Sequence, residues 1–297
     1  MMPTSLEPLL AVEPLLAVYV FILGACLGSF ANVVIARLPA QESLVRPRSR
    51  CPGCHASIAW YDNLPMLSYL CLRGRCRACR QSIAARYPLV ELLTAGLLLA
   101  LWAQLGPSWT FIIWVPLTLV LVCIIFLDLD HFWIPDVLTL PAALWLLATS
   151  FLPQQAGFLA ALVGLLPALG LWGVGAAYGR LTGREGLGLG DVKLLAVLGL
   201  AVGWRQALTL LLWASLEGAL VGTLMLAVGG HRGALDGPVP AALADDADWQ
   251  PPAHAVPFGP FLILGALQVV LLPQYFSRWH GQLVQALMRQ LGLSVGG

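Results

Sequence analysis

Four acids and a histidine stand at the ends of apolar runs. The segment "IIFLDLDHFWIPDVLTLP" (124–141) supplies Asp128, Asp130, His131 and Asp136, and "GLGLGDVK" (186–193) supplies Asp191. Ionisable residues at membrane depth are costly and mark functional sites by default. Two aspartates held close in a partly desolvated site cannot both ionise easily, so they share a proton. Such a pair can perform water-mediated hydrolysis: one carboxylate deprotonates the water, while the other, protonated, hydrogen-bonds the scissile carbonyl and then donates its proton. The glycines at 186, 188 and 190 let backbone and substrate approach Asp191 closely. Asp136, just after Ile134-Pro135, reads as an N-cap for the next helix. Asp130 and His131 read as residues that face water or support the site. Glu91 and Glu217 are not explained by capping; each reads as paired within the bundle, with the interface as an alternative for Glu91. Lys193, the only lysine of the chain, lies two residues past Asp191 and so on another helix face. It reads as an interface anchor, or alternatively as a contact for lipid phosphate or a field that helps Asp191 ionise.

A second group of chemistry-bearing residues lies between the first two apolar runs. Five of the seven cysteines are there, and four form "CPGC" (Cys51, Cys54) and "CRAC" (Cys76, Cys79), with 21 residues between the pairs. This is zinc-ribbon spacing: two thiolates three positions apart share one tetrahedral ion, and two such knuckles complete a closed site of four ligands. Four thiolates leave no open position for water or substrate, so the zinc is structural. A loop of about 50 residues with few large aliphatic side chains builds little core, and metal binding supplies its folding free energy. Redox thiols or a loop without metal are the alternatives. Cys71, Cys26 and Cys123 fall outside the spacing and read as ordinary buried thiols.

The elements that must position these residues follow from composition. The chain has 297 residues, 59% hydrophobic and 10% charged, with a mean hydropathy of +0.82, against about 25% charge in a soluble domain. The expected fold is an all-α polytopic membrane protein, a bundle of about eight transmembrane helices with a cytoplasmic zinc-ribbon-like loop after helix 1. Apolar runs fall near 14–36, 88–105, 109–127, 137–152, 157–179, 192–203, 206–228 and 257–273. The fourth and sixth are short, which suggests a tilted, re-entrant or broken segment. The first run lacks a basic n-region and a cleavage site and reads as a retained helix.

Residues 39–87 carry eight arginines against Glu42 and Asp62, and the segment before the first run carries only Glu7 and Glu13. The N-terminus is therefore expected outside, and the loop, with the ends near 128, 180–191 and 230–256, in the cytoplasm. The arginines are explained by topology and lack interleaved aromatics, so nucleic acid is not an expected partner; membrane lipid is. The resulting organisation is a first transmembrane helix (1–38), a four-cysteine loop (39–87) and a transmembrane bundle (88–297) that includes a Pro- and Asp-rich flexible cytoplasmic loop (231–257). No internal repeat stands out. The tail "QLVQALMRQLGL" has helical apolar spacing and reads as an amphipathic surface helix or a simple packed tail.

Several ordered blocks resemble the type IV prepilin peptidases: "GACLGSFANVVIARLP" (24–39), the two cysteine knuckles, "YDNLPMLSYLCLRGRC" (61–76), "ARYPLVELL" (85–93), "DLDHFWIPDVLTLP" (128–141), "GLGLGDVKLLAVLG" (186–199) and "PFGPFL" (257–262). The resemblance implies that the GxGD aspartate, Asp191, is one catalytic residue, and that Asp128, seven positions before Pro135, is the other, with Asp130 as its rival. It further implies a bacterial inner-membrane enzyme that cleaves a short basic leader from prepilins and type II secretion pseudopilins at the cytoplasmic face, at a Gly before a hydrophobic residue. Methylation of the new amino terminus with S-adenosylmethionine is implied too; the chain has no strand, glycine turn and helix unit of its own to bind that donor.

Two other classes stand beside this one. In an ion or metal transporter, Asp128, Asp191 and Glu217 would line a pathway and the cysteine loop would sense metal; in a scaffold, the zinc loop would dock partners. Midplane acids favour transport, whereas carboxylates clustered at one face favour hydrolysis.

Overall fold

The computed structural model of the chain describes residues 7–183, 188–227 and 256–276, and among them it is helical apart from turns and two isolated β-bridges. The 231–257 loop, apart from its last two residues, as well as Gly186 and the 283–291 tail, lie outside the described residues. Five helices are long and apolar enough to cross a membrane: α1 (Glu7–Arg37) from Pro14 onward, α3 (Arg86–Leu105), α4 (Trp109–His131), the α6–α7 segment Phe158–Thr182, and α9 (Trp204–Ala227). The other apolar runs form shorter helices, α5 (Asp136–Thr149), α8 (Leu189–Val202) and α10 (Gly259–Leu271), of 14, 14 and 13 residues. The short α2 (Leu67–Cys71) belongs to the loop after α1.

The helix ends follow from local chemistry. Ser108 caps α4 by accepting a hydrogen bond from Phe111 N at 3.1 Å. Gly106, Gly183 and Gly203, with φ of 60°, 67° and 84°, end α3, α7 and α8 in conformations that cost a Cβ-bearing residue strain. Helix α4 ends instead at Phe132, with φ 52°, an uncommon left-handed non-glycine residue whose N–H closes onto the Asp128 carbonyl.

Helix α4 is the axis of the bundle. Its Leu117, Leu121, Ile124 and Leu127 are fully buried, and the first three pack in one cluster with Leu194, Leu195 and Leu198 of α8 and Leu262, Ile263 and Ala266 of α10. In lipid, helices associate by close packing rather than by the hydrophobic effect, so small residues mark the contacts. In α1, Gly24 and Gly28 form a G-x-x-x-G pair whose added Cβ atoms would lie 2.6 Å from the Cα atoms of Ala95 and Glu91 on α3. The outward stripe of α9, Leu212, Leu216, Leu220 and Leu224, is exposed at i, i+4 spacing, as a lipid-facing surface should be.

One break was not expected. The 157–179 run is interrupted after Val163, where α6 (Phe158–Val163) gives way to α7 (Leu166–Thr182). Two features meet there: Pro167, in the first turn of α7, has no N–H to bond the Val163 carbonyl, and Gly164 and Gly199 of α8 meet backbone to backbone, so that a Cβ on either would overlap the other's carbonyl. Two readings of individual thiols also fail. Cys123 is buried, but Cys26 and Cys71 are exposed.

Candidate active site

Five helix ends meet at one end of the bundle, the end of α4 and the starts of α3, α5, α8 and α10. Asp128 lies in the last turn of α4, and Asp191 in the first turn of α8. Asp128 is buried, 4% exposed, and its Oδ2 accepts a hydrogen bond from Gly259 N at 2.9 Å. That N–H is the first of α10, one of the donors a helix N-terminus leaves free, and Pro260 beside it has none to leave unpaired. Only glycine fits at 259: a Cβ there would lie 2.6 Å from Asp128 Oδ2 and 3.2 Å from Ile134 Cδ1. Asp191 is half-buried and close enough to Asp128 for the two carboxylates to interact electrostatically. Gly190 brings the start of α8 against Ile134, 3.1 Å from where its Cβ would stand, so this glycine serves packing rather than substrate room. Gly188 lies against Asp191 itself, 3.1 Å from Oδ2 to an added Cβ.

Each aspartate has an ion pair two residues further on. Asp130 is bound by Arg86, the first residue of α3, at 2.5 Å, and that guanidinium also lies over the Phe126 ring. Lys193 Nζ donates to both oxygens of Asp136 at 2.6 and 2.9 Å. The N-cap reading of Asp136 is thereby corrected: Pro135 occupies the cap position, Asp136 is the first helical residue, and its carboxylate is turned to Lys193. Lys193, read from sequence as an interface anchor or lipid contact, is a tie between α8 and α5.

The remaining acids are placed apart. Glu91 is buried, 8% exposed, and accepts a hydrogen bond from Met66 N at 2.7 Å, fastening the cysteine loop to α3. Glu217 of α9 accepts from Gln268 Nε2 of α10 at 2.5 Å. Gln268 is nine residues along α10 from Gly259, about 13 Å at 1.5 Å per residue. The acids of a transport pathway are therefore not gathered in one row.

In the loop, the four cysteine sulfurs lie within 4.8 Å of one another, and Cys51 and Cys79 are 3.7 Å apart. A tetrahedral zinc site with 2.3 Å bonds has edges of about 3.8 Å, so the cluster fits such an ion. The knuckles form an internal repeat, where none was expected: "RCPGCHASI" (50–58) and "RCRACRQSI" (75–83) share five of nine residues at a 25-residue offset. Their backbones repeat as well. Cys51 N and Cys76 N donate to Ala56 O and Gln81 O, His55 N and Arg80 N donate back to Cys51 O and Cys76 O, and bridges pair Arg50 with Ser57 and Arg75 with Ser82. His55 and Arg80 both take left-handed backbone, with φ of 57° and 63°. Backbone N–H groups of Cys54 and Gly53 pull the Cys51 thiol down to about 6. Cys79 accepts from the Gln81 backbone, yet desolvation and the neighbouring sulfurs push it up to about 11. Asp62 holds the loop further through a two-pronged pair with Arg77 at 2.6 and 2.7 Å, and the guanidinium keeps its carboxyl below the usual carboxylate range.

Comparison with known proteins places these features. Residues 22–105 match the Bacterial Peptidase A24 N-terminal domain, and residues 115–223 match the Type IV leader peptidase family. A prepilin leader peptidase/N-methyltransferase of Myxococcus xanthus is 39% identical, over 89% of this chain and 92% of its own length. One of the same name from Aeromonas hydrophila is 36% identical over 88% and 92%, and one from Pseudomonas putida 35% over 97% and 99%. No solved structure matches the chain. Matched in order by both family models and similar to these relatives over most of its length, the chain belongs to the type IV leader peptidase family and is a membrane peptidase.

Proposed function

We propose that the chain cleaves the leader peptides of type IV prepilins and type II secretion pseudopilins with Asp128 and Asp191, and methylates the new amino terminus with S-adenosylmethionine. The observation that carries the reading is the environment of Asp128: a buried carboxylate held by the Gly259 N–H, with Asp191 as its electrostatic neighbour. Asp130 is engaged by Arg86, which favours Asp128 over it. With one proton between them, one carboxylate takes a proton from water while the other donates to the scissile amide, and the roles reverse on release. Methylation is supported by the names of the relatives.

The enzyme sits in the bacterial inner membrane as an eight-helix bundle, with its N-terminus in the periplasm and its aspartates at the cytoplasmic face, the side of the Arg-rich loop. Residues 39–87 form the cytoplasmic zinc-binding loop, with Cys51, Cys54, Cys76 and Cys79 as ligands to a structural zinc, and 88–297 the peptidase bundle. The test is a cleavage assay on a prepilin-like substrate in membranes. Asp128→Asn and Asp191→Asn are each expected to abolish cleavage at normal protein levels, and Asp130→Asn to leave measurable activity. Full activity of either of the first two would remove that residue from the pair.

A further inference from the structure

We propose that an apolar stripe on the outside of the cysteine loop, formed by Trp60, Leu64, Leu67, Leu70 and Cys71, is a membrane-docking surface. It seats the loop in the headgroup region of the bilayer, with Arg73 and Arg75 on anionic lipid headgroups. The proposal needs only that α3 crosses the membrane, and so stands apart from the reaction proposed above.

The stripe follows from local structure. Trp60–Asn63 form a turn of 3-10 helix and Leu67–Cys71 form α2, so side chains three and four positions apart share a side. Ser68, Tyr69 and Leu72 line the cavity between the loop and helices α1 and α3. The Tyr69 ring lies on Gly74, 3.0 Å from where a Cβ would stand. With that side of α2 turned inward, Leu67, Leu70 and Cys71 are left exposed on the opposite one. Trp60, Leu67 and Leu70 are 79%, 61% and 69% exposed. A single exposed leucine needs no explanation, but a contiguous apolar line marks an interaction surface.

Depth, continuity and charge identify the bilayer as what covers it. Met66 N donates to Glu91 at 2.7 Å, and Glu91 is five residues, about 8 Å, inside the span that starts at Arg86. Helical side chains lean toward the N-terminus, which puts Met66 and the start of α2 between the levels of Arg86 and Glu91. Interfacial amphipathic helices lie at that depth, about 5–10 Å into the boundary of headgroups and acyl chains. Tyr87, Leu89 and Leu92 of α3 are exposed at the same level, as lipid-facing positions of a spanning helix are. Arg73 and Arg75 follow α2 directly, are exposed, and among the described residues pair with no carboxylate. Free guanidinium groups beside a Trp-bearing apolar face suit anionic headgroups at a membrane surface. Lipid contact gives these side chains the burial that the loop's own residues do not supply.

The test uses full-length protein in nanodiscs of phosphatidylethanolamine and phosphatidylglycerol. A phospholipid with a diazirine near its glycerol backbone is photolysed around the unmodified protein, and adducts are mapped by mass spectrometry. We expect adducts within residues 60–71 at a yield comparable to that of residues 87–92 of α3. In a second measurement the fluorescent amino acid acridonylalanine replaces Leu67 or Leu70. Quenching by nitroxide-labelled lipid should exceed quenching by aqueous acrylamide about threefold or more. The adduct yield at 60–71 should fall by a similar factor in the Leu67→Ser/Leu70→Ser double variant and in nanodiscs without phosphatidylglycerol, with zinc content unchanged. If the double variant loses zinc, the adducts of the unmodified protein decide. A stripe without adducts and open to acrylamide lies in water; one closed to both quenchers is covered by protein, whether another segment of this chain or a second copy. Either result overturns the proposal, and an unchanged yield without phosphatidylglycerol removes the arginines from it.

Discussion

Gly259 has a task that no other residue can take over. Its N–H must reach Asp128 at 2.9 Å, and an added Cβ would lie 2.6 Å from the same carboxylate oxygen. Gly259→Ala therefore forces the start of α10 away from α4, at a cost of about 1–3 kcal/mol for overpacking. We expect at least a tenfold loss of leader cleavage with the protein still present in membranes. Gly96→Ala is the control: nothing lies within 4 Å of its added Cβ, and cleavage should be unchanged. The nearness of Asp128 and Asp191 was expected from the sequence, because carboxylates beside apolar runs are rare and both stand at helix ends. Gly259 was not, since its contact spans 131 residues and a glycine before a helix has many uses. Asp136 was misread for a related reason: an acid after Pro135 fits a cap, and only the fold brings Lys193 to it.

The two ion pairs join helices as well as charges. Lys193–Asp136 ties α8 to α5, and Arg86–Asp130 ties α3 to α4. Exposed pairs stabilise by only about 0–1 kcal/mol, so their effect should appear in the placement of the aspartates more than in stability. We expect Lys193→Asp and Asp136→Lys each to lower cleavage several-fold with little change in melting temperature, and the double variant, which restores an inverted pair, to recover part of the loss. An additive double-mutant cycle would show that the pair does not position Asp191. The Gly164–Gly199 contact behaves differently. Either Gly→Ala change separates α8 from the α6–α7 junction, by backbone overlap that no rotamer relieves, and the melting temperature in detergent should fall by several degrees. The apolar runs were legible as helices, because length and hydropathy suffice for that. The break after Val163 was not expected, although Pro167 four residues on is a local signal for it; the Gly164–Gly199 contact beside it lies partly on another helix, and no local pattern shows it.

The loop and the bundle are stabilised by different means, and this separates their responses. The bundle has a large buried cluster on α4, α8 and α10. The loop's described residues include only α2 and one turn of 3-10 helix, and of its residues from 41 to 84 Cys51 alone is a buried hydrophobic one. Its order rests on the four sulfurs, the Asp62–Arg77 pair and two ties to the helices, namely Arg37 to Ser43 and Pro47, and Glu91 to Met66. Cys51→Ser is expected to lower zinc content and expose 39–87 to proteolysis, leaving the bundle helical by circular dichroism. Acid should act in the same direction. The Cys51 pKa is depressed to about 6, so its stabilising contribution is present above the ordinary thiol value and is lost as pH falls through about 6. Protons then displace the metal. Asp62 also has a depressed pKa, below the usual carboxylate range; its pairing persists until the pH is under about 4. Between about pH 6 and pH 4 the loop should therefore lose zinc while keeping its Arg77 tie. A zinc indicator should report release in that window, and proteolysis should cut at the knuckles before the 61–69 segment. A loop that stays protease-resistant after losing its zinc would show that the ties alone hold it.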